Sequence, residues 1–141
     1  MSFYSFLLGL FLVFSCNQKS NSGSQLVKSN NLSKVFFKNI NNGDTLSSPF
    51  LVEMGVSGMQ IKPAGQLETG TGHHHILVNR DFMEYGEIIP MDNQHLHYGK
   101  GDTVVNLSLP PGEHILTLQF ANGMHMSYGK QFSNTINIYI K

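Results

Sequence analysis

The chain has a single cysteine, Cys16, and no tryptophan. One thiol rules out an internal disulfide and a multi-thiolate metal site, so any metal chemistry here must use nitrogen, oxygen or thioether donors. Charge is scarce: 13% of residues, with nine basic and nine acidic side chains that cancel. No block of like charge occurs along the 141 residues, which argues against nucleic acid as a partner and against an electrostatic membrane patch. An apolar stripe of 3.6-residue period is missing too, so no amphipathic helix is expected. No apolar run reaches the roughly 20 residues that a membrane-spanning helix needs.

The one apolar run that does occur is short. Residues 3–14 are almost wholly apolar and are followed by Ser15 and Cys16, a length that fits the core of a cleaved export signal. Val13-Phe14-Ser15-Cys16 resembles a bacterial lipobox, which implies that Cys16 is acylated and becomes the first mature residue. Asn17 stands where an inner-membrane retention signal would place Asp, so the outer membrane, facing the periplasm, is the expected address. Residues 17–33 are rich in Ser and Asn with little to bury, the composition of a flexible tether. The expected division is an export signal at 1–15, an acylated cysteine with its tether at 16–33, and one domain at 34–141.

Within that domain the apolar residues alternate. Phe50, Val52, Met54 and Val56 share one face; so do Val105, Leu107 and Leu109; so do Leu116, Leu118 and Phe120; so do Ile136, Ile138 and Ile140. With Lys34 to Ile40 and His74 to Asn79 this makes six strands of period two, and a short seventh is expected around His95 to Tyr98. Turn chemistry separates them, as in Asn41-Asn42-Gly43-Asp44 and Pro110-Pro111-Gly112. The expected fold is all-β, an antiparallel β-sandwich of roughly immunoglobulin-like build.

Histidine is what the chain has in unusual arrangement. Five of its seven histidines fall in His73-His74-His75 and His95-Leu96-His97. Residues i and i+2 of a strand point to one face, so each His-x-His can present two imidazoles to a single ion. Ile76 and Val78 mark the buried face, which takes His74 with it as a hydrogen-bonded core residue. His73 and His75 then lie opposite, beside Leu77. Leu96 anchors inward and leaves His95 and His97 facing out together. If the two segments pair, four imidazoles share one surface patch. His125, between Met124 and Met126, is the fifth candidate ligand; in an extended segment the two methionines point away from it and are expected to fill the core. His114, after Pro110-Pro111-Gly112, reads as a structural polar tip at the core edge. Imidazole suits copper and zinc, and thioether sulfur suits Cu(I).

Four ordered blocks carry a resemblance. They are Val56-x-Gly58-Met59-x3-Pro63-Ala64-Gly65, Thr69-Gly70-x-Gly72-His73-His74-His75-Ile76-Leu77-Val78, Gln94-His95-Leu96-His97-Tyr98-Gly99-Lys100-Gly101 and Leu109-Pro110-Pro111-Gly112-Glu113-His114-x-Leu116-x-Leu118. Together they resemble the bacterial family of domain of unknown function 4399 over about residues 34–141. The resemblance implies a small exported or lipid-anchored β domain and supplies no activity.

Enzyme chemistries fail on spacing. A cupin needs Glu a few residues after His-x-His, and the first Glu after His75 is Glu84. Gly-x-Ser-x-Gly and His-Glu-x-x-His are both missing. Three readings stay open. One is a non-catalytic metal-binding module for copper or zinc on His73, His75, His95 and His97, with His125 as a fifth ligand. Another is a metal-free domain with hydrogen-bonded histidines that docks a cell-envelope protein. The last is a pH-responsive surface of clustered imidazoles. The anchor is tested by detergent partitioning: wild type is expected in the detergent phase and Cys16→Ser in the aqueous one, because two or three acyl chains hold a domain to a bilayer. Wild type in the aqueous phase would refute it.

Overall fold

The computed structural model describes Met1 and residues 35–141; the expected export signal, Cys16 and the tether lie outside the described residues. Nine strands and one 3-10 turn, with no α-helix, make up the described chain. They are β1 (Val35–Phe37), β2 (Asp44–Leu46), β3 (Phe50–Val56), β4 (Gln60–Ile61), β5 (Thr71–Val78), β6 (His95–His97), β7 (Val104–Leu107), β8 (Gly112–Ala121), the turn at Lys130–Phe132, and β9 (Ser133–Ile140). Two sheets result, one of three strands in the order β1-β3-β7 and one of six in the order β2-β9-β8-β5-β4. β6 shares the β5 edge with β4, pairing farther along it. The fold is all-β and roughly sandwich-like, as the alternation predicts.

The six-stranded sheet is mixed rather than purely antiparallel, because β2 runs parallel to β9 and β4 parallel to β5. Both added strands have three residues or fewer. Segments that short show no period-two pattern, so alternation could not reveal them.

The main core fills the space between the sheets. Val35, Phe50, Val52, Met54 and Leu107 come from the smaller sheet; Ile76, Val78, Leu116, Leu118, Phe120, Ile136, Ile138 and Ile140 come from the larger. Every residue of β5 is buried, so this strand is covered on both faces. Its second face is roofed by the chain between β5 and β6, where Leu77, Ala121, Ile89 and Met83 form a small separate cluster. The roof is pinned by backbone bonds: Gly86 N donates to Ser127 O (2.9 Å), Ser127 N to Glu87 O (2.8 Å) and Ile89 N to His125 O (2.9 Å).

Gln119 is the polar tie beneath this roof. Its Oε1 accepts Met83 N (3.1 Å), and its Nε2 donates to Gly129 O and Phe132 O (both 3.2 Å) with no exposure of the side chain. Gln119→Leu would keep the volume and remove the side-chain hydrogen bonds to Met83 N, Gly129 O and Phe132 O. A loss of about 2–4 kcal/mol is expected in urea unfolding, and a loss under 1 kcal/mol would show that the tie is idle.

Candidate metal centre

β5 lies between β8 and β6, and the register decides which histidines meet. His75 stands opposite His97 and Leu77 opposite His95 on the β6 side; His73 stands opposite Ala121 and His75 opposite Gln119 on the β8 side. His73, His75 and His97 therefore face the roofed side together. His125 arrives from the turn between β8 and β9. Its backbone adopts φ 63°, a left-handed conformation uncommon for a non-glycine residue and a form of local strain that clusters at functional sites. Asn122 holds that turn: its Oδ1 accepts Met124 N (2.9 Å) and Met126 N (3.1 Å), and its carbonyl accepts His125 N (2.9 Å).

Four imidazoles converge as a result. His73 and His75 meet Nε2 to Nε2 at 3.0 Å, and His97 and His125 at 3.1 Å. The ring centroids are separated by 4.8 Å (His73–His75), 5.0 Å (His73–His97), 5.2 Å (His73–His125), 5.1 Å (His75–His97), 5.9 Å (His75–His125) and 4.7 Å (His97–His125). Ligand nitrogens of His73, His97 and His125 all lie within 4.8 Å of one another. The cluster is no surface patch: His73 and His75 have no exposure, while His97 and His125 are partly buried. Gly99 makes room for it, because a Cβ there would overlap the His97 ring.

His95, expected beside His97 in the same site, stands apart. The register puts it next to Leu77, and its Nδ1 donates to Asp92 Oδ1 at 2.8 Å. That hydrogen bond holds the Asp92 carboxyl below its usual range. His74 does turn into the main core, where its ring packs edge-on against Phe120 at 5.0 Å. The partner expected for it is missing: neither ring nitrogen has a hydrogen bond. His114 is tied on both sides, its Nε2 donating to Pro110 O (2.9 Å) and its Nδ1 accepting from Asn79 Nδ2 (3.3 Å). Met124 is exposed and fills no core. The 122–126 segment is a turn rather than an extended strand, so alternation does not govern where Met124 and Met126 point. Sequence reasoning gives Asn122, Gly99 and Gln119 no role in the site; Asn122-Gly123 is a turn dipeptide, which hints at a turn and not at a clamp.

Burial disfavours protonation of His73, His74, His75 and His97. Desolvation, then the neighbouring imidazoles, push His73 down to about 4 and His75 down to about 2; desolvation, then His73 and Lys38, push His74 down to about 4; desolvation and His125 lower His97. Unfolded, the same groups titrate near 6.5. Below that pH the unfolded chain takes up protons that the folded one refuses, so stability falls as pH falls. The loss levels off near pH 4 for His73 and His74 and continues toward pH 2 for His75. Its slope is up to about 1.4 kcal/mol per pH unit per histidine. Metal-free protein is expected to unfold in acid between pH 6 and 4, followed by circular dichroism. His74→Leu removes one refused proton and two unbonded nitrogens, so it should flatten that acid limb and leave stability at pH 7 unchanged or raised by about 1 kcal/mol. A steeper limb would contradict the assignment.

No curated protein and no solved structure matches the chain. One family model does, over residues 52–141. The match covers well over half of the chain, begins in β3 and takes in all four clustered histidines. The chain belongs to the family described as Domain of unknown function (DUF4399).

Proposed function

We propose that this domain is a non-catalytic transition-metal binding module that takes a copper or zinc ion on His73, His75, His97 and His125. One observation carries the reading. A tetrahedral ion bound to four imidazole nitrogens at 2.0–2.1 Å sets the ring centroids about 5.2 Å apart. The six separations run from 4.7 to 5.9 Å, five of them at or below 5.2 Å. Hydrophobic packing has no reason to gather four polar rings at that spacing, and the left-handed His125 adds a backbone cost that a ligand role would justify.

Several features support a binding role over a catalytic one. With His75 joining the three rings whose nitrogens lie within 4.8 Å of one another, four protein donors would close a tetrahedral shell, whereas hydrolytic sites keep a position for water. The one carboxylate bonded to a neighbouring histidine, Asp92, is engaged by His95 rather than by a cluster ring. The domain would work at the cell envelope, held to the outer membrane by acyl chains on Cys16, with an envelope protein as partner.

The metal-free reading has its own support, because the two Nε2 contacts at 3.0 and 3.1 Å can be imidazole–imidazole hydrogen bonds. Calorimetric titration with Zn(II) and copper ions separates the two. One-to-one binding with a Kd of micromolar or tighter is expected at pH 7.5. His97→Gln should weaken it at least tenfold, about 1.4 kcal/mol, and His74→Gln should leave it unchanged. Because burial holds His73 near 4 and His75 near 2, these two ligands compete with protons only well below pH 6. Absence of heat and of thermal shift with every ion would favour the hydrogen-bonded network.

A further inference from the structure

We infer that the ion this site suits is monovalent Cu(I) rather than Zn(II) or Cu(II), an inference that rests on the tetra-imidazole reading above. Geometry removes Cu(II) first. A square-planar set of imidazoles would hold two ring pairs about 6.4 Å apart and four about 4.5 Å apart, and tetragonal coordination is what Cu(II) prefers. The widest pair here is 5.9 Å and the remainder lie between 4.7 and 5.2 Å. That near-tetrahedral arrangement suits an ion with a filled d shell, which leaves Zn(II) and Cu(I).

Charge decides between those two. Four neutral imidazoles compensate none of the ion's charge. Among the described residues no carboxylate is hydrogen-bonded to His73, His75, His97 or His125. The cost of desolvating an ion rises with the square of its charge, so a dication held here costs about four times as much as a monocation.

The surroundings of the ligands point the same way. Zinc-binding histidines donate their second nitrogen to a carboxylate or carbonyl, which raises the basicity of the ligating one. His73 Nδ1 and His75 Nδ1 are buried without any hydrogen-bond partner. The two deepest ligands are thus left as weak, uncharged donors, adequate for a monocation and less suited to a dication whose charge nothing offsets.

The test uses the full chain in detergent with Cys16→Ser, so that no thiol competes. Cu(I) is titrated anaerobically against a chromophoric Cu(I) chelator, Zn(II) against a chromophoric zinc chelator, Cu(II) by calorimetry, and Ag(I) serves as a redox-inert monovalent probe. Cu(I) is expected to bind at least roughly a thousandfold more tightly than Zn(II), about 4 kcal/mol, with Ag(I) following Cu(I). His97→Gln and His125→Gln, both at partly exposed positions, should each weaken Cu(I) and Ag(I) while circular dichroism stays unchanged. Zinc binding as tight as Cu(I) would overturn the ion assignment and leave the metal module standing. Failure of all four ions to bind would overturn both. Cu(I) binding that survives both histidine variants would place the ion elsewhere and overturn the inference.

Discussion

Everything distinctive in this domain depends on burying both faces of one strand. β5 sends Ile76 and Val78 into the core between the sheets and His73, His75 and Leu77 into a second layer beneath the roof. An antiparallel sandwich strand ordinarily keeps one wet face. Covering the second face obliges its polar residues to find partners inside the protein. Gln119 and Thr117 on the adjacent strand do so with backbone carbonyls and amides. The imidazoles do so with one another.

That choice sets the character of the site. Burial and the neighbouring rings disfavour a proton on His73, His75 and His97, and no carboxylate bonded to them offsets that cost. On the reading proposed above, a pocket of neutral nitrogen donors with no carboxylate bonded to its rings would hold an ion of low charge at less desolvation cost than a dication. Asp92 illustrates the alternative by contrast: two residues before His97 on β6, the half-buried His95 bonds to a carboxylate rather than to another ring.

Parts of this were readable in the residues. Period two placed His74 with Ile76 and Val78, and His73 and His75 with Leu77, because side-chain alternation is a local property of a strand. The adjacency of β5 and β6 was not readable, since three residues of β6 carry no pairing code and a shift of one step changes which ring meets His75. Nor was the roof: Met83, Ile89 and Gln119 reach each other across loops without any periodicity, so the second face read as solvent-facing. His125 was beyond the reach of alternation, because Asn122 folds its segment into a turn with a left-handed residue. β2 and β4 were hidden by their length.

The His73-His74-His75 run has a consequence for folding as well. The four clustered rings come from three strand or turn segments that meet only after β5, β6 and β8 have paired, so the complete tetrad belongs to the finished fold. Three consecutive histidines, however, are adjacent in any conformation, and an unfolded chain can chelate an ion with them. Ligand binding stabilises a protein only by the difference between folded and unfolded affinities. If the cluster binds an ion as proposed, the same triplet would reduce the stability the ion confers, and it would give an unfolded chain a means of holding the ion before the sandwich has closed around it.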